Sequence, residues 1–248
     1  RCALRTGYRM NITVLGTGDA IGTPKVGCSC PQCTYALTHG THRLRTSFLV
    51  EHNGHTILID SSPDLRQQLL VYGSPHIDAV IWTHGHYDHF MGFGEFYRVQ
   101  SMPAVYAAPQ VLDYCGNIFR FLKFQRNPTE PFRPFSLFGL RVTLVPVNHP
   151  PVETYGLVLT DGKAKIAFTS DSNADIPPET LSVFSKADLL FVDALVPPSI
   201  QIPKHMNYNE ACALAKRLMV GDFRCVHMSH TIPWDLPHTG KDGETFCF

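Results

Sequence analysis

The sequence predicts a mixed α/β (α+β) fold, a four-layer αββα sandwich in which two sheets lie between layers of helices. Three observations predict it. Strand-like runs fall into two groups, with helical patterns between and after them. Each group contains a hairpin turn signal, at Asn53-Gly54 and at Asp161-Gly162. A chain of 248 residues, 44% of them hydrophobic, can bury the core that such a sandwich needs.

The first group comprises four apolar runs. Residues 11–15 form a predicted buried strand that ends at a glycine-rich turn. Runs 47–50 and 55–59 flank the first hairpin signal and predict an antiparallel pair. A short helix is expected over 63–70, and the run 77–83 predicts the next strand.

The segment 115–135 is aromatic and basic but has no clean periodicity. Two interpretations are open: a lid or insertion near a site, or a helical element packed on the sheet. The packed element is the favoured interpretation. The residues that give the segment its character are Phe119, Arg120, Phe121, Lys123, Phe124, Arg126 and Phe132.

The second group contains five predicted strands, at 140–147, 155–159, 165–169, 188–192 and 224–228. A helical pattern over 178–184 separates the third strand from the fourth. Asn207 with Glu210 resembles a capping box, which begins a helix through about Val220. No fixed-period repeat and no linker interrupts the pattern, so residues 10–248 are predicted to form a single domain.

The composition limits the class of partner. Lysine plus arginine equals aspartate plus glutamate at 21 each, so no field of one sign predicts long nucleic acid or an anionic membrane as a partner. No apolar run reaches the roughly 20 residues of a membrane helix. Residues 1–9 are basic without an apolar h-region and are predicted to be an extension, with Met10 as the natural start. A cytoplasmic location is expected.

The most informative motif is His84-Gly85-His86-Tyr87-Asp88-His89, which directly follows a predicted strand. Imidazole and carboxylate together suit zinc, manganese or iron better than calcium or magnesium. Residues i and i+2 of an extended segment point the same way, so His84 and His86 can share one ion. The turn that follows can direct Asp88 and His89 toward a second ion.

Three later residues each end a predicted strand and complete the candidate set: His149, Asp171 and His227. A carboxylate such as that of Asp171 can bridge two cations, because each oxygen can bind one. Seven such residues at successive strand ends are hard to produce by chance. The sequence therefore predicts a site for two metal ions.

The motif with these three residues, in this order, resembles the metallo-β-lactamase superfamily over essentially the whole chain from Met10. The resemblance implies that one ion is held by His84, His86, His149 and Asp171, and the other by Asp88, His89, Asp171 and His227. It also implies that Asp60, at the end of a predicted strand, supports the site from behind its ligands.

The cysteines predict a second metal site. Three of the eight lie in Cys28-Ser29-Cys30-Pro31-Gln32-Cys33, too close together for three separate disulfides. Three thiolates need one more ligand for a closed tetrahedral zinc site, and the best candidate is His230. The alternative is three reduced core cysteines. The residues alone do not decide whether His227 or His230 serves this site.

The trio and the late His227-Met228-Ser229-His230 run resemble the PhnP-type (phosphoribosyl cyclic phosphate) phosphodiesterase branch, which is associated with the carbon–phosphorus lyase pathway. This resemblance implies that His227 serves the two-metal site and that His230 completes a structural zinc site with Cys28, Cys30 and Cys33. It also implies that His205 acts on the substrate side. The alternative for His205 is an exposed loop histidine.

The glycine-rich run 16–24 also resembles the first loop of that branch. Its GxG pattern suggests a dinucleotide site, but the third glycine has the wrong spacing and no helical pattern follows. A tight structural turn is the favoured interpretation.

The expected function is therefore a metal-dependent phosphodiesterase, with a water or hydroxide bridging two divalent ions (manganese, zinc or iron) ~3.5–4 Å apart. Asp88 and His205 are the predicted catalytic residues, and one further zinc is structural. The expected substrate is a small anionic phosphodiester, such as a ribose cyclic phosphate or a 2′,3′-cyclic nucleotide. A homodimer is compatible with the resemblance.

Other functions stay open at this point. A hydrolase of the same fold can act on a thioester, lactone or lactam. A protein of pyrroloquinoline quinone biosynthesis and a tRNA 3′-end nuclease share the metal pattern. A non-catalytic metal-binding protein is the alternative from a different class, although a scaffold has no need of an open two-metal site.

Overall fold

The computed structural model describes residues 10–248, so the predicted extension at residues 1–9 lies outside the described part. Two mixed sheets of seven and six strands pack face to face and carry helices on their outer faces. Phe48 of the first sheet shows the packing, because its ring centroid lies 5.0 Å from that of Phe168 and 4.7 Å from that of Phe191 in the second sheet. The predicted αββα sandwich is confirmed.

Strands and helices follow one another along the described chain. In chain order, the strands are β1 (Asn11–Gly16), β2 (Ser47–His52), β3 (His55–Ile59), β4 (Ala79–Ile81), β5 (Ala104–Ala107), β6 (Arg126–Pro128), β7 (Phe135–Leu137), β8 (Leu140–Val147), β9 (Thr154–Thr160), β10 (Lys165–Phe168), β11 (Leu189–Asp193), β12 (Asp222–Val226) and β13 (Thr245–Cys247). The helices are α1 (Pro31–His39), α2 (Leu65–Val71), α3 (Tyr87–Phe90), α4 (Pro109–Ile118), α5 (Pro178–Phe184) and α6 (Tyr208–Leu218), with a 3₁₀ turn at Met91–Phe96.

Each sheet has an antiparallel part and a parallel part. The first sheet has the order β13-β1-β2-β3-β4-β5-β6 and the second β12-β11-β10-β9-β8-β7. Strands β3 to β6 are parallel in the first sheet, and β10 to β12 are parallel in the second. Because parallel strands end at the same sheet edge, the residues that follow them collect there, where α/β sheets place their sites.

The two hairpins form where the turn signals predict them. In the first, His52 pairs with His55, and both turn residues have positive φ, 51° at Asn53 and 77° at Gly54. These angles are what a two-residue turn between twisted strands requires. The second hairpin pairs Thr160 with Lys165 across a four-residue loop.

The capping box also forms. The side chain of Asn207 accepts from the Glu210 amide at 3.0 Å, and the Glu210 carboxylate accepts from the Asn207 amide at 2.8 Å. Two amides at the start of α6 are thereby satisfied. The helix ends at Leu218, slightly before the predicted end near Val220.

The segment 115–135 is packed rather than lid-like. It contributes the end of α4, the short strand β6, and an aromatic cluster on Trp82. The Phe119 and Phe124 centroids lie 6.3 and 6.0 Å from that of Trp82, and Phe119 is 4% exposed. Burying such a ring contributes about 1.5–3 kcal/mol. Within residues 10–248, no helix is long and apolar enough to span a bilayer.

Strands β4 and β12 each end two residues before the predicted end of their apolar runs, and the reason lies at the site. Strand β4 ends at Ile81 because the Thr83 amide donates to the carboxylate of Asp60 at 2.8 Å and not to a neighbouring strand. Strand β12 ends at Val226 because His227 turns out of the sheet with φ 56°. Where the backbone leaves the strand hydrogen bonding at these two points, the residues that follow lie at the edge of the sheet.

Candidate metal centre

The seven histidine and aspartate residues predicted as ligands lie together at the edge where the parallel strands end. We call them the His/Asp cluster: His84, His86, Asp88, His89, His149, Asp171 and His227. Two subsets have all their ligand atoms within 4.8 Å of one another, namely His84, His86, His149 and Asp171, and Asp88, His89 and His227. All but His86 are buried.

Asp171 lies between the two subsets. Its Oδ1 is 3.3 Å from Nε2 of His89. Its Oδ2 is 3.5 Å from Nε2 of His84 and 3.3 Å from Nε2 of His227. One carboxylate therefore lies within reach of both subsets: Oδ2 faces a histidine of each, and Oδ1 faces His89 of the second. A bridging ligand needs such a position between the two subsets.

Four histidines, His84, His89, His149 and His227, are oriented so that Nε2 faces the centre of the cluster. His86 presents Nδ1, which lies 3.2 Å from Nε2 of His149. The Nδ1 of His149 donates to the carbonyl oxygen of Lys204 at 3.0 Å, and the Nδ1 of His89 donates to Asp60 at 2.7 Å. The Nδ1 of His84 lies 3.0 Å from the Thr83 hydroxyl. Such bonds fix the ring and leave the other nitrogen for a metal.

Several buried polar atoms in the cluster lack a hydrogen-bond partner. Among residues 10–248 the structure gives no such partner to Nε2 of His84, Nε2 of His89 or Oδ1 of Asp171. An unpaired buried polar atom costs about 1–3 kcal/mol, so a set of them facing one point needs an explanation. Imidazole nitrogens and carboxylate oxygens converging in this way fit divalent metal ions.

The charges of the cluster divide the histidines into two kinds. Burial lowers the pKa of His84 and His149, and it lowers the pKa of His86 to about 4. Burial also disfavours charge on His89 and His227, but the nearby carboxylates outweigh it and raise both pKa values well above the usual range. Protonated His89 and His227 thus balance the negative charge of the nearby carboxylates, a role that bound cations could take instead.

The two ligand carboxylates stay ionised. Burial raises the pKa of Asp171, but His227, His89 and His84 lower it more, so that it lies well below the usual range. The pKa of Asp88 is also lowered, since His89 and His227 outweigh its burial. Asp88 lies in the first turn of α3, with Oδ2 3.3 Å from Nε2 of His89 and 3.4 Å from Nε2 of His227.

Asp60 lies behind the cluster, where the sequence predicts it. It follows β3 with φ 57°, a left-handed conformation that most residues avoid. Its carboxylate accepts from the amide and the hydroxyl of Thr83, at 2.8 and 2.7 Å, and from His89. Asp60 therefore fixes both the start of the His84–His89 motif and the ring of its last histidine.

Sequence reasoning missed Asp193, the last residue of β11, which has a fully buried side chain. Its Oδ2 accepts from Nδ1 of His205 at 2.7 Å, and its Oδ1 lies 3.6 Å from Nδ1 of His227. The amide of Ser172 also donates to it at 2.9 Å. The available signal was its place at a strand end, like Asp60 and Asp171.

His205 lies beside the His/Asp cluster and is not an exposed loop residue, because its side chain is 12% exposed. Its ring centroid lies 4.6 Å from that of His149 and 5.2 Å from that of His227. Asp193 holds Nδ1, so Nε2 is the ring nitrogen left for a bound molecule. The structure thus places this residue beside both metal-binding subsets.

The cysteine trio and His230 form a second group, which we call the cysteine cluster: Cys28, Cys30, Cys33 and His230. Their ligand atoms all lie within 4.8 Å of one another. The Nδ1 of His230 is 3.6 Å from Cys28 Sγ and 3.4 Å from Cys30 Sγ. Cys28 and Cys30 are partly exposed, which argues against core packing as their role. The donor set fits one tetrahedral zinc.

The glycine-rich run 16–24 packs against another loop and is followed by no helix until α1. A Cβ at Gly16 would lie 2.2 Å from the carbonyl oxygen of Arg45, and one at Gly18 would lie 2.6 Å from that of Arg43. Glycine is therefore required at both positions for close contact between two backbones. This agrees with a tight structural turn.

Sequence comparison connects the fold and the site to known proteins. Residues 55–228 match the model of the Beta-lactamase superfamily domain. A curated relative, named octanoyltransferase, from Porphyromonas gingivalis (strain ATCC BAA-308 / W83) is 31% identical over 94% of this chain and 51% of its own length. The chain spans about half the length of the first curated relatives it matches.

Solved structures show the same architecture. The crystal structure described as a new diphosphatase from the PhnP family has a TM-score of 0.86 and 29% identity, covering 97% of both chains. Zinc-bound PqqB from Methylobacterium extorquens has a TM-score of 0.84 and 22% identity, covering 95% of this chain and 99% of its own. The second likeness concerns the fold alone.

Proposed function

The chain belongs to the β-lactamase superfamily, and on that premise we propose that this metallo-β-lactamase-fold hydrolase is a phosphodiesterase acting on a small, cyclic phosphodiester. The observation that carries the proposal is the position of Asp171, whose carboxylate lies between the two subsets and faces the unpartnered Nε2 atoms of His84 and His89. The pairing of His205 with Asp193 beside those sets adds a group able to act on a substrate.

In this proposal the His/Asp cluster holds two divalent ions. One would be held by His84, His86, His149 and Asp171, and the other by Asp88, His89, Asp171 and His227. Zinc, manganese and iron all suit this donor set. Such ions, when bound, supply positive charge for the phosphoryl oxygens and lower the pKa of a coordinated water. The cysteine cluster would hold one structural zinc.

The residues of the chain supply the remaining chemistry. Asp193 accepts from Nδ1 of His205, so the Nε2 of His205 is directed to the substrate side. As an imidazolium, His205 donates a proton from Nε2 to the departing alkoxide oxygen, and Asp193 stabilises the charged ring before that transfer. Asp88 is the proposed second catalytic residue and a proposed ligand of the other subset, where its carboxylate lies close to His89 and His227.

The substrate class rests on the resemblance to the PhnP family and on the charge of the chain. The PhnP-family neighbour is described as a diphosphatase, so phosphoric esters are the natural class to test. A net charge of zero gives no long-range attraction for a polynucleotide. A small anionic diester can be bound by the positive charge inside the site alone and needs no long-range attraction.

We also propose a cytoplasmic location, because thiols that hold zinc must stay reduced. No membrane partner is proposed, and a homodimer is the proposed assembly.

The deciding experiment is an activity screen of the protein reconstituted with manganese or zinc. The substrates are bis-p-nitrophenyl phosphate, ribose cyclic phosphate, 2′,3′- and 3′,5′-cyclic nucleotides, a diphosphate ester, a thioester, a lactone, a β-lactam and a precursor tRNA. Hydrolysis of the diesters alone is expected. Turnover of the diphosphate, thioester, lactone, lactam or tRNA without any diester would overturn the assignment.

A further inference from the structure

A cleft of about 490 Å³ lies between the end of α1 and the segment 234–242. We call it the α1 cleft. No member of the His/Asp cluster or of the cysteine cluster lines it, so it is separate from both metal centres. The side chains that line it include Tyr35, His39, His42, Arg43, Trp234 and Lys241.

The floor of the cleft carries a buried positive charge. Arg43 is 3% exposed, and its guanidinium donates to the carbonyl oxygens of Ile232 at 2.8 Å and Pro233 at 3.1 Å. Both acceptors are neutral. Among residues 10–248, the structure pairs Arg43 with no carboxylate within 4.0 Å. Asp242 and Asp19 act on Arg43 only from beyond that distance. Buried charges usually have a contacting partner, so a buried cation without one at the floor of a cleft favours an anionic occupant.

The rim of the cleft is also basic. His39, His42 and Lys241 are side chains on its rim. Asp242 is its one acidic lining residue, and its oxygens already accept from the Thr17 hydroxyl and the Leu44 amide, both at 2.7 Å. Its Oδ2 also lies 3.8 Å from Nε2 of His42, which leaves Arg43, His39 and Lys241 as the basic side chains not engaged by it. Burial raises the pKa of Asp242 to about 6, so its carboxylate is still mostly ionised at pH 7, and the donors around it offset part of its charge.

Aromatic surface lies next to this charge. The Tyr35 and Trp234 centroids are 5.9 Å apart, and Arg43 lies over the Trp234 ring at 4.1 Å from its centroid. The His39 ring stacks on Tyr35 with 3.9 Å between centroids, but Tyr35 is still 44% exposed, so part of its ring is open to contact. Flat rings stack on such surfaces, and stacking contributes about 0.5–1.5 kcal/mol per pair beyond burial.

We propose that the α1 cleft binds a small organic anion that carries a flat ring, of the class of a nucleoside monophosphate. The anionic group lies between Arg43 and Lys241, and the ring lies against Trp234 and Tyr35. The volume of the cleft falls within the range of about 300–1,000 Å³ that small-molecule sites occupy.

An occupant of this cleft would contact residues that hold the segment His227–His230, which serves both clusters. The carbonyl of Thr17, a lining residue, accepts from the Met228 amide at 2.8 Å, and Arg43 also donates to the carbonyl of Ser229 at 3.4 Å. These contacts hold the segment between His227 and His230. Binding in the cleft is therefore expected to raise the melting temperature of the metal-bound protein.

Tryptophan fluorescence gives a direct test, because Trp234 lies in the cleft and Trp82 is fully buried elsewhere. The metal-bound protein is titrated with adenosine 5′-monophosphate, adenosine and inorganic phosphate, and binding is followed by fluorescence and by calorimetry. Adenosine monophosphate is expected to bind more tightly than either part and to quench the fluorescence. In Trp234→Phe, the quench disappears while the calorimetric binding remains.

Two double variants locate the binding. His39→Ala with Lys241→Ala is expected to weaken the binding of adenosine monophosphate at least about 10-fold, a loss of about 1.4 kcal/mol. His76→Ala with Lys216→Ala removes the same side-chain types elsewhere and is expected to leave binding unchanged. The proposal is overturned if the wild type binds no probe at millimolar concentration. It is also overturned if binding survives the cleft variant but disappears in Asp171→Ala.

Discussion

The His/Asp cluster and the cysteine cluster share the short segment His227–His230 but are built in different ways. In the His/Asp cluster, side chains from several strand ends of both sheets meet, and Asp60 and the carbonyl of Lys204 orient two of its rings. In the cysteine cluster, three thiols come from one loop and the first turn of α1, and only His230 comes from elsewhere. The two sheets thus fix the geometry of the His/Asp cluster, whereas the geometry of the cysteine cluster depends on the contact between its thiols and the distant His230.

This difference separates two kinds of metal site. A site fixed by the fold can stay open to a substrate, because it does not need the ion to hold its shape. A site that joins two distant segments contributes stability through the ion itself. Substitutions in the two clusters should therefore affect different measurements.

Asp171→Ala should have the largest effect on activity, because one side chain serves both metal-binding subsets. Diesterase activity should fall at least about 10³-fold, since the charge stabilisation by both ions is lost. Elemental analysis should show loss of the His/Asp-cluster metal with retention of the cysteine-cluster zinc. Unchanged metal stoichiometry would refute the bridging position.

His205→Ala should have the next largest effect. Loss of a general acid lowers turnover by about 10²–10⁴-fold, while the metal content per chain stays at the wild-type value. The deficit should be smaller for a diester with a good leaving group, such as p-nitrophenolate, which does not need the proton. An equal deficit for good and poor leaving groups would rule out proton donation.

Asp193→Asn keeps the shape of the side chain but removes the charge beside the His205 ring. Turnover should fall by about 10-fold, within the range for a residue that supports a ligand or catalytic group. The deficit should be larger for a diester with a poor leaving group, because the correct orientation of His205 then matters for proton donation. A deficit of equal size for good and poor leaving groups would indicate a purely structural role.

Cys30→Ala tests the role of the cysteine cluster in stability. The protein should lose one zinc and about 2–4 kcal/mol of stability, or roughly 6–12 °C in Tm for a chain of this size. Activity per folded molecule should change little. Cys115→Ala, which removes a buried thiol outside the cluster, is the control for zinc content. A Cys30→Ala protein with full zinc content would contradict the assignment.

The smallest expected effect is the pH dependence of metal uptake at the His/Asp cluster. The pKa values of His89 and His227 are raised, so the metal-free protein keeps protons on both rings at neutral pH. Metal binding must release them, and the apparent affinity should therefore rise with pH. Calorimetry in buffers of different ionisation enthalpy measures the release, and zero proton release at neutral pH would contradict it.

The sequence predicted those parts of the fold that local chemistry specifies. Hairpin turns, the capping box of α6 and the strand that precedes the His84–His89 motif each depend on a few adjacent residues. Helix α1 was not predicted, although Pro31 and Gly40 bound it in the usual way. Its sequence lacks a strong apolar face, and only Cys33 and Ala36 are buried.

The candidate ligands could be named from spacing, but their support could not. Asp193 resembles any aspartate at the end of an apolar run, and only the parallel pairing of β10, β11 and β12 brings it to His205. The spacing also leaves His227 and His230 interchangeable. Backbone geometry separates them, since His227 lies at the edge of the second sheet and His230 lies beside the thiols of Cys28 and Cys30.

The meeting of the two sheets at the His/Asp cluster has a consequence for how the protein can be studied. The His84–His89 motif follows the first sheet, and Asp171 and His227 follow the second, so an ion bound by both is a cross-link between the halves of the sandwich. Metal content then reports on the docking of the halves. Trimming a ring such as Phe168 at the interface should release metal although no ligand has changed.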